Sequence, residues 1–135
     1  MPHSPVHTDQ APRAIGPYSQ GVSTGGGRMV FLSGQIPLDP GTGELLAGDI
    51  SAQTERVMKN LGAVLAAASL GFQDVVRCTI YLTDLGEFAA VNAVYGRYFP
   101  SAPPARATVQ VSALPRGARV EIDAIAVASD SPRSS

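Results

Sequence analysis

The spacing of hydrophobic positions changes several times along the 135 residues, and each change marks an element. After residue 49, Val57, Met58, Leu61, Val64, Leu65 and Ala68 form one stripe at helical spacing. Asp49 stands where it can cap the start of that helix, and Gly71 where a residue just past the end would adopt positive φ. DVVRCTIYLTD then reads as a buried strand, and DLGE is a D-x-x-E capping signal for a second helix. The stripe of that helix is Phe88, Val91, Tyr95 and Tyr98 or Phe99, and Pro100 stops it. Upstream, QGVST and MVFLSG flank GGGR, which predicts a hairpin whose glycines supply positive φ. Downstream, RATVQVSAL and RVEIDAIAVA are joined by PRGA closely enough to predict a second antiparallel hairpin.

The predicted order is β-β-α-β-α-β-β, a single α+β domain over residues 13–128 with both helices on one face of a mixed sheet. Polar, proline-bearing stretches at 1–12 and 129–135 read as loose tails. A single helical layer leaves the other sheet face bare. With Val, Ile and Ala in the last strand, that face is expected to bury itself against other copies of the chain.

Composition removes several classes of function. At 44% hydrophobic and 16% charged residues, with a net charge of −1 and Lys59 as the one lysine, the chain lacks the basic footprint of a nucleic-acid binder. No apolar run approaches the roughly 20 residues that span a bilayer, and no signal-peptide pattern opens the chain, so the expected location is cytoplasmic. Cys78, the single cysteine, reads as a small buried hydrophobe. His3 and His7 have an i, i+4 spacing that could suit a metal only on a helix, and Pro5 lies between them. They read as tail residues, so no metal site is expected and the folded body is expected to hold no histidine.

The chemistry that remains lies on strand faces. In RATVQV, Arg106, Thr108 and Gln110 share one face, and in RVEIDAIAV, Glu121 and Asp123 share a face with Ile125 and Val127. A guanidinium, a hydroxyl and carboxylates without a nucleotide loop suit the two-point grip of a small carboxylate and the placing of a water beside it. On a regular terminal hairpin, however, Arg106 and Glu121 fall roughly 17 Å apart. Either Arg106 is a structural residue paired with a nearby acceptor, or the site is shared between chains.

The segments AIGPYSQG, FLSGQIPLDPGTGEL, AQTERVMKNLGAVL, AVNAVYGRYF and PPARATVQVSALPRGARVEIDAIAV together resemble the Rid family, in its reactive-intermediate deaminase branch, from about Ala14 to Val127. The resemblance implies a chorismate-mutase-like α+β fold, a homotrimer with sites in the clefts between subunits, and no cofactor. It implies hydrolysis of 2-aminoacrylate and related enamine or imine acids, which pyridoxal-phosphate dehydratases release, to 2-keto acids and ammonia. Residue by residue it implies that Arg106 clamps the substrate carboxylate and that Glu121 positions or activates water. By the same resemblance Tyr18, Ser33, Gly34 and Asn92 border the ligand. Each of these four also has a plain structural reading, as a packing aromatic, a turn hydroxyl, a backbone necessity and a helix-surface amide. Thr108 departs from the many members with cysteine there; it offers a hydroxyl to the substrate and excludes thiol chemistry at that position.

Two other readings remain at this point. A trimeric binder or sensor of small keto or amino acids would use Arg106 without chemistry, though a nearby carboxylate such as Glu121 would then repel its ligand. An endoribonuclease, a label carried by some relatives, fits poorly with one lysine and the two tail histidines.

Overall fold

The computed structural model describes residues 3–128. The elements are β1 (His3–Val6), β2 (Gly21–Thr24), β3 (Met29–Gln35), α1 (Ile50–Ala67), β4 (Val75–Leu82), α2 (Phe88–Gly96), β5 (Ala105–Gln110) and β6 (Val120–Val127). The helical periodicity around residue 60 is realised in α1: Asp49 Oδ1 accepts from the Ala52 N–H at 2.8 Å, and Val57, Met58, Leu61 and Leu65 are fully buried. The helix ends at Ala67, two residues earlier than a closing glycine at position 71 would place it. Leu70 N–H reaches back to the Leu65 carbonyl at 2.8 Å, so the left-handed position falls on Ser69, with φ 62°. Burial of the Leu70 side chain holds that closure in place.

The main sheet has the order β3-β6-β4-β5. Strands β4 and β5 are parallel neighbours joined through α2, and β6 lies antiparallel to both β4 and β3. Even-numbered residues of β4 and β6, including Cys78, Ile80, Leu82, Val120, Ile122 and Ala124, point into one core with α1 and with Val91, Tyr95 and Phe99 of α2 and its C-terminal turn. Both helices therefore cover the same face, as the α+β reading requires.

Three expectations are corrected by this topology. The terminal strands do not form a hairpin, because β4 lies between β5 and β6. The β4-α2-β5 crossover brings β5 in beside β4 as its parallel partner, which leaves β6 to pair on the other side of β4. Strands β2 and β3 do not pair either: among the described residues β2 pairs with β1, as a separate two-stranded ribbon, and β3 with β6. Finally, residues 3–6 are not a loose tail. They form β1, in which Pro5 is opposite Val22, and His3 Nδ1 shares a 2.9 Å hydrogen bond with Thr24 Oγ1. A proline is tolerated there because a two-stranded ribbon leaves an edge on which no N–H is needed. His3 thus belongs to the ordered fold, while the stretch 129–135 lies outside the described residues.

The face away from the helices is mixed rather than purely aliphatic. Met29, Phe31, Val109 and Ile125 share it with Arg77, Thr79, Tyr81, Glu121 and Asp123, and Phe31 is 68% exposed. Tyr81 donates to Asp123 Oδ2 at 3.0 Å across neighbouring strands. No helix among the described residues is long and apolar enough to cross a membrane.

Candidate active site

Two consecutive prolines, Pro103 and Pro104, hold the chain extended as it enters β5 and deliver Arg106 at its second position. The Ser19 N–H caps the Pro104 carbonyl at 3.1 Å, which ties the segment before β2 to this entrance. Arg106 is register partner to Cys78, a core residue, so its side chain emerges on the helix-covered face at the exposed edge of the sheet. Phe88, Asn92 and Tyr95 follow one another at i, i+4 and i+7 on α2, a spacing that puts them on one helix face above Arg106. The guanidinium carbon lies 5.3 Å from the Phe88 ring centre, 5.2 Å from that of Tyr95 and 5.2 Å from that of Tyr18. Arg106 Nη1 donates to Asn92 Oδ1 at 2.6 Å.

The guanidinium is thereby stacked, oriented and partly desolvated, and yet among the described residues no carboxylate lies within ion-pair distance of it. Its burial lowers its affinity for its proton, and the electron-rich Tyr95 and Tyr18 offset part of that. Beneath it, the Tyr95 hydroxyl has only the weakly accepting Cys78 sulfur beside it. Burial pushes the Cys78 thiol up to about 11 and the Tyr95 phenol higher still, so this layer stays neutral. Arg106 opens into a pocket of about 360 Å³ lined by Ile15, Gly16, Tyr18, Phe88, Asn92 and Thr108. Thr108 Oγ1 is buried there without a hydrogen-bond partner.

Glu121 is somewhere else. Its register partner is Tyr81, three positions along β4 from Cys78 and on the opposite sheet face. Two strand spacings and three residues separate the Arg106 and Glu121 Cα atoms by about 14 Å, with the sheet between their side chains. The expected separation therefore holds, but it comes from strand order and facing rather than from a hairpin. Ser33 and Gly34 accompany Glu121. The pairing of β3 with β6 slips by one residue between Leu32 and Gln35, and this bulge brings Gly34 against the Glu121 carboxylate.

The predicted site residues thus form two halves. Tyr18, Asn92, Arg106 and Thr108 make a cationic pocket at the β5 edge, and Ser33, Gly34 and Glu121 make an acidic patch on the open face. Phe88 and Tyr95 were read from the sequence only as core residues. Their heptad-like spacing with Asn92 was the available signal, but nothing local tells a core stripe from a stripe that meets an arginine. His3 and His7 are engaged with Thr24 and Asp9 and contribute to neither half.

The structure is thus an α+β fold with a cationic pocket on one sheet face and an acidic patch on the other. The family model described as Endoribonuclease L-PSP matches residues 8–128, and the chain belongs to this family, known as Rid. It is 71% identical over 127 residues to protein DfrA of Myxococcus xanthus, covering 94% of this chain and 97% of that one. It is 48% identical over 122 residues to the 2-iminobutanoate/2-iminopropanoate deaminase of Mus musculus, covering 90% and 89%. The crystal structure of the Rid family protein YyfB from Yersinia pestis superposes with a TM-score of 0.87 at 30% identity, covering 95% of this chain and 100% of that one.

Proposed function

We propose that this protein hydrolyses reactive 2-imino acids, and the enamines in equilibrium with them, to 2-keto acids and ammonia. The observation that carries the reading is Arg106: a guanidinium partly withdrawn from water, braced by three rings and an amide, and left without a carboxylate of its own among the described residues. Such a group gains most from an anion that arrives from solution, and its planar N–H pairs match a carboxylate. The relative named 2-iminobutanoate/2-iminopropanoate deaminase supports the same substrate class.

In this reading Arg106 takes the carboxylate and thereby fixes the adjacent imine carbon. Water adds to that carbon, and Glu121 receives the proton that the water loses. Glu121 passes that proton to the nitrogen to give a carbinolamine, the hydroxyl proton then follows it to the nitrogen by way of the same carboxylate, the C–N bond breaks as the carbonyl forms, and ammonia leaves with the keto acid behind. An imine is already electrophilic, so positioning and one carboxylate that relays protons from oxygen to nitrogen suffice. Because the two halves lie on opposite faces of one sheet, the reading requires a second copy of the chain to bring its Glu121 patch to the Arg106 pocket. A homotrimer, with the open sheet faces buried inside, is the assembly we propose.

The test is a coupled assay. The protein is added to a serine or threonine dehydratase, and keto acid is followed against spontaneous hydrolysis of the released imine. Acceleration proportional to added protein is the expected result. Unchanged progress curves at stoichiometric protein would sink the proposal and leave the binder reading in its place.

A further inference from the structure

On the open face of the sheet, two carboxylates and one phenol hydroxyl stand together. Tyr81 of β4 is the register partner of Glu121 on β6, and Thr79 is that of Asp123. Directly opposed residues of an antiparallel pair have Cα atoms about 5 Å apart, whereas diagonal neighbours lie about 7–8 Å apart. Glu121 is therefore the nearer carboxylate along the backbone. The Tyr81 hydroxyl nevertheless donates to Asp123 Oδ2, at 3.0 Å. Tyr81 leans along its strand to do so, which also brings it to the Thr79 hydroxyl. The bond to Asp123 is the main reason that Tyr81 holds its proton above the usual phenol range, and partial desolvation adds to it. The Glu121 carboxylate lies the other way, against Gly34 of β3, and receives no hydrogen bond from a described residue. Arg77 lies further along β4, beside Ile125, and the flanking strands bring Phe31 and Val109 to the same face.

We infer that Asp123 is a positioning residue for Glu121: it captures the Tyr81 hydroxyl and so keeps that donor off the carboxylate that must take up a proton. A carboxylate that accepts a hydrogen bond from a hydroxyl is stabilised in its charged form and accepts a proton less readily. A general base works best with its lone pairs free for the water it activates. Tyr81 stands opposite Glu121, and a hydroxyl on a face that is to be buried needs an acceptor. Asp123, two residues along β6 and on the same face, supplies one, so the requirement is met without drawing on Glu121. The inference rests on the reading above in which Glu121 receives the proton that water loses. It gives Tyr81 and Asp123 no contact with substrate, and their effect passes through Glu121.

A set of variants and one crystal structure decide it. Asp123→Ala removes the acceptor, so the Tyr81 hydroxyl should turn to Glu121. In the coupled assay kcat should fall on the order of 10-fold, the worth of a hydrogen bond to a charged group, with KM nearly unchanged because the Arg106 pocket is untouched. Asp123→Asn keeps an amide oxygen as acceptor and Tyr81→Phe removes the donor, so each should stay close to the parent. Tyr81→Phe combined with Asp123→Ala should regain what Asp123→Ala lost. A loss that Tyr81→Phe does not repair, or an equal loss in Asp123→Asn, means that Asp123 acts by packing or by its charge, and overturns the inference. If Asp123→Ala does not fold, Asp123→Val, better suited to a strand, carries the same comparison. The crystal structure of the alanine or valine variant gives a reading without activity. Tyr81 Oη within hydrogen-bond distance of Glu121 is the expected result, and a hydroxyl turned to any other partner defeats the proposal. If the hydroxyl does reach Glu121 and kcat is unchanged, the diversion by Asp123 stands and the proton-accepting role of Glu121 falls.

Discussion

A Cβ atom added to Gly34 would lie 2.0 Å from Oε2 of Glu121 and 2.8 Å from its Cδ. The two residues occupy one space: the bulge in β3 lets the backbone come down onto the β6 carboxylate, and only a residue without a side chain permits it. The Gly34 φ is not in the left-handed region, so the requirement is room and not backbone freedom.

Gly34→Ala should therefore leave the fold nearly unchanged, since the clash is with the end of a flexible side chain, but should swing Glu121 aside. A misplacement of about 1 Å in a positioned group costs on the order of 100-fold in rate. The expected outcome is a loss of about that size in the coupled assay, with thermal midpoint shifted by no more than a few degrees. Full activity in Gly34→Ala would mean that the carboxylate position is immaterial.

Arg106→Lys should abolish most activity while the chain still folds. Lysine keeps the positive charge but loses the planar paired donors and the broad face that stacks on Tyr18, Phe88 and Tyr95. Losing one charge-assisted hydrogen bond of about 1.5–3 kcal/mol corresponds to roughly 10- to 100-fold. The loss should appear in kcat/KM, and a variant that matches the parent would refute the clamp.

Mixing inactive Arg106→Ala and Glu121→Ala chains, after dissociation and reassembly, should restore part of the activity. In randomly mixed cyclic assemblies at equal input, a given cleft receives both intact halves with a chance of about one half times one half, so about a quarter of parental activity is expected. Activity that remains at background in assemblies shown by mass to be mixed would contradict a site built from two chains.

Alkaline pH should destabilise the fold over a defined window. Burial raises Cys78 from 9.0 to about 11, and burial together with the Glu55 hydrogen bond raises Tyr98 from 10.0 to about 12. In this window the folded chain keeps protons that the unfolded chain has lost, so unfolding free energy falls as pH rises. The contribution is intact below pH 9 and lost by about pH 12. Denaturant midpoints measured from pH 8 upward should decline beyond pH 9, and Cys78→Ala should flatten the first part of that decline. Native Cys78 should also resist alkylation at pH 8, where unfolded protein reacts readily.

How far the sequence reached can be told from particular residues. The stripe from Val57 to Leu65, the cap at Asp49 and the strand around Cys78 were legible because helix and strand periods are local properties of a few neighbouring residues. The alternation of RATVQV correctly placed Arg106, Thr108 and Gln110 on one face, and the combined motifs carried the family. Arg106, Thr108 and Glu121 were candidates from their strand faces, but their roles, and Tyr18, Ser33, Gly34 and Asn92, came from that resemblance, since no local pattern separates an arginine that awaits an anion from one that is merely buried.

Pairing between strands was not legible. Residues 105–110 and 120–127 are close in sequence and look like a hairpin, yet β4, more than thirty residues away from β6, lies between them. The same holds at the other end, where residues 21–24 and 29–35 have hairpin spacing and separate partners. Local chemistry determined which segments are strands and which way their side chains alternate. The choice of neighbours depends on which long-range arrangement buries Cys78, Ile80, Val120 and Ile122 together beneath the helices, a sum over distant contacts that no window of sequence contains. That choice put β4 between Arg106 and Glu121, with Arg106 beneath α2 and Glu121 on the open face.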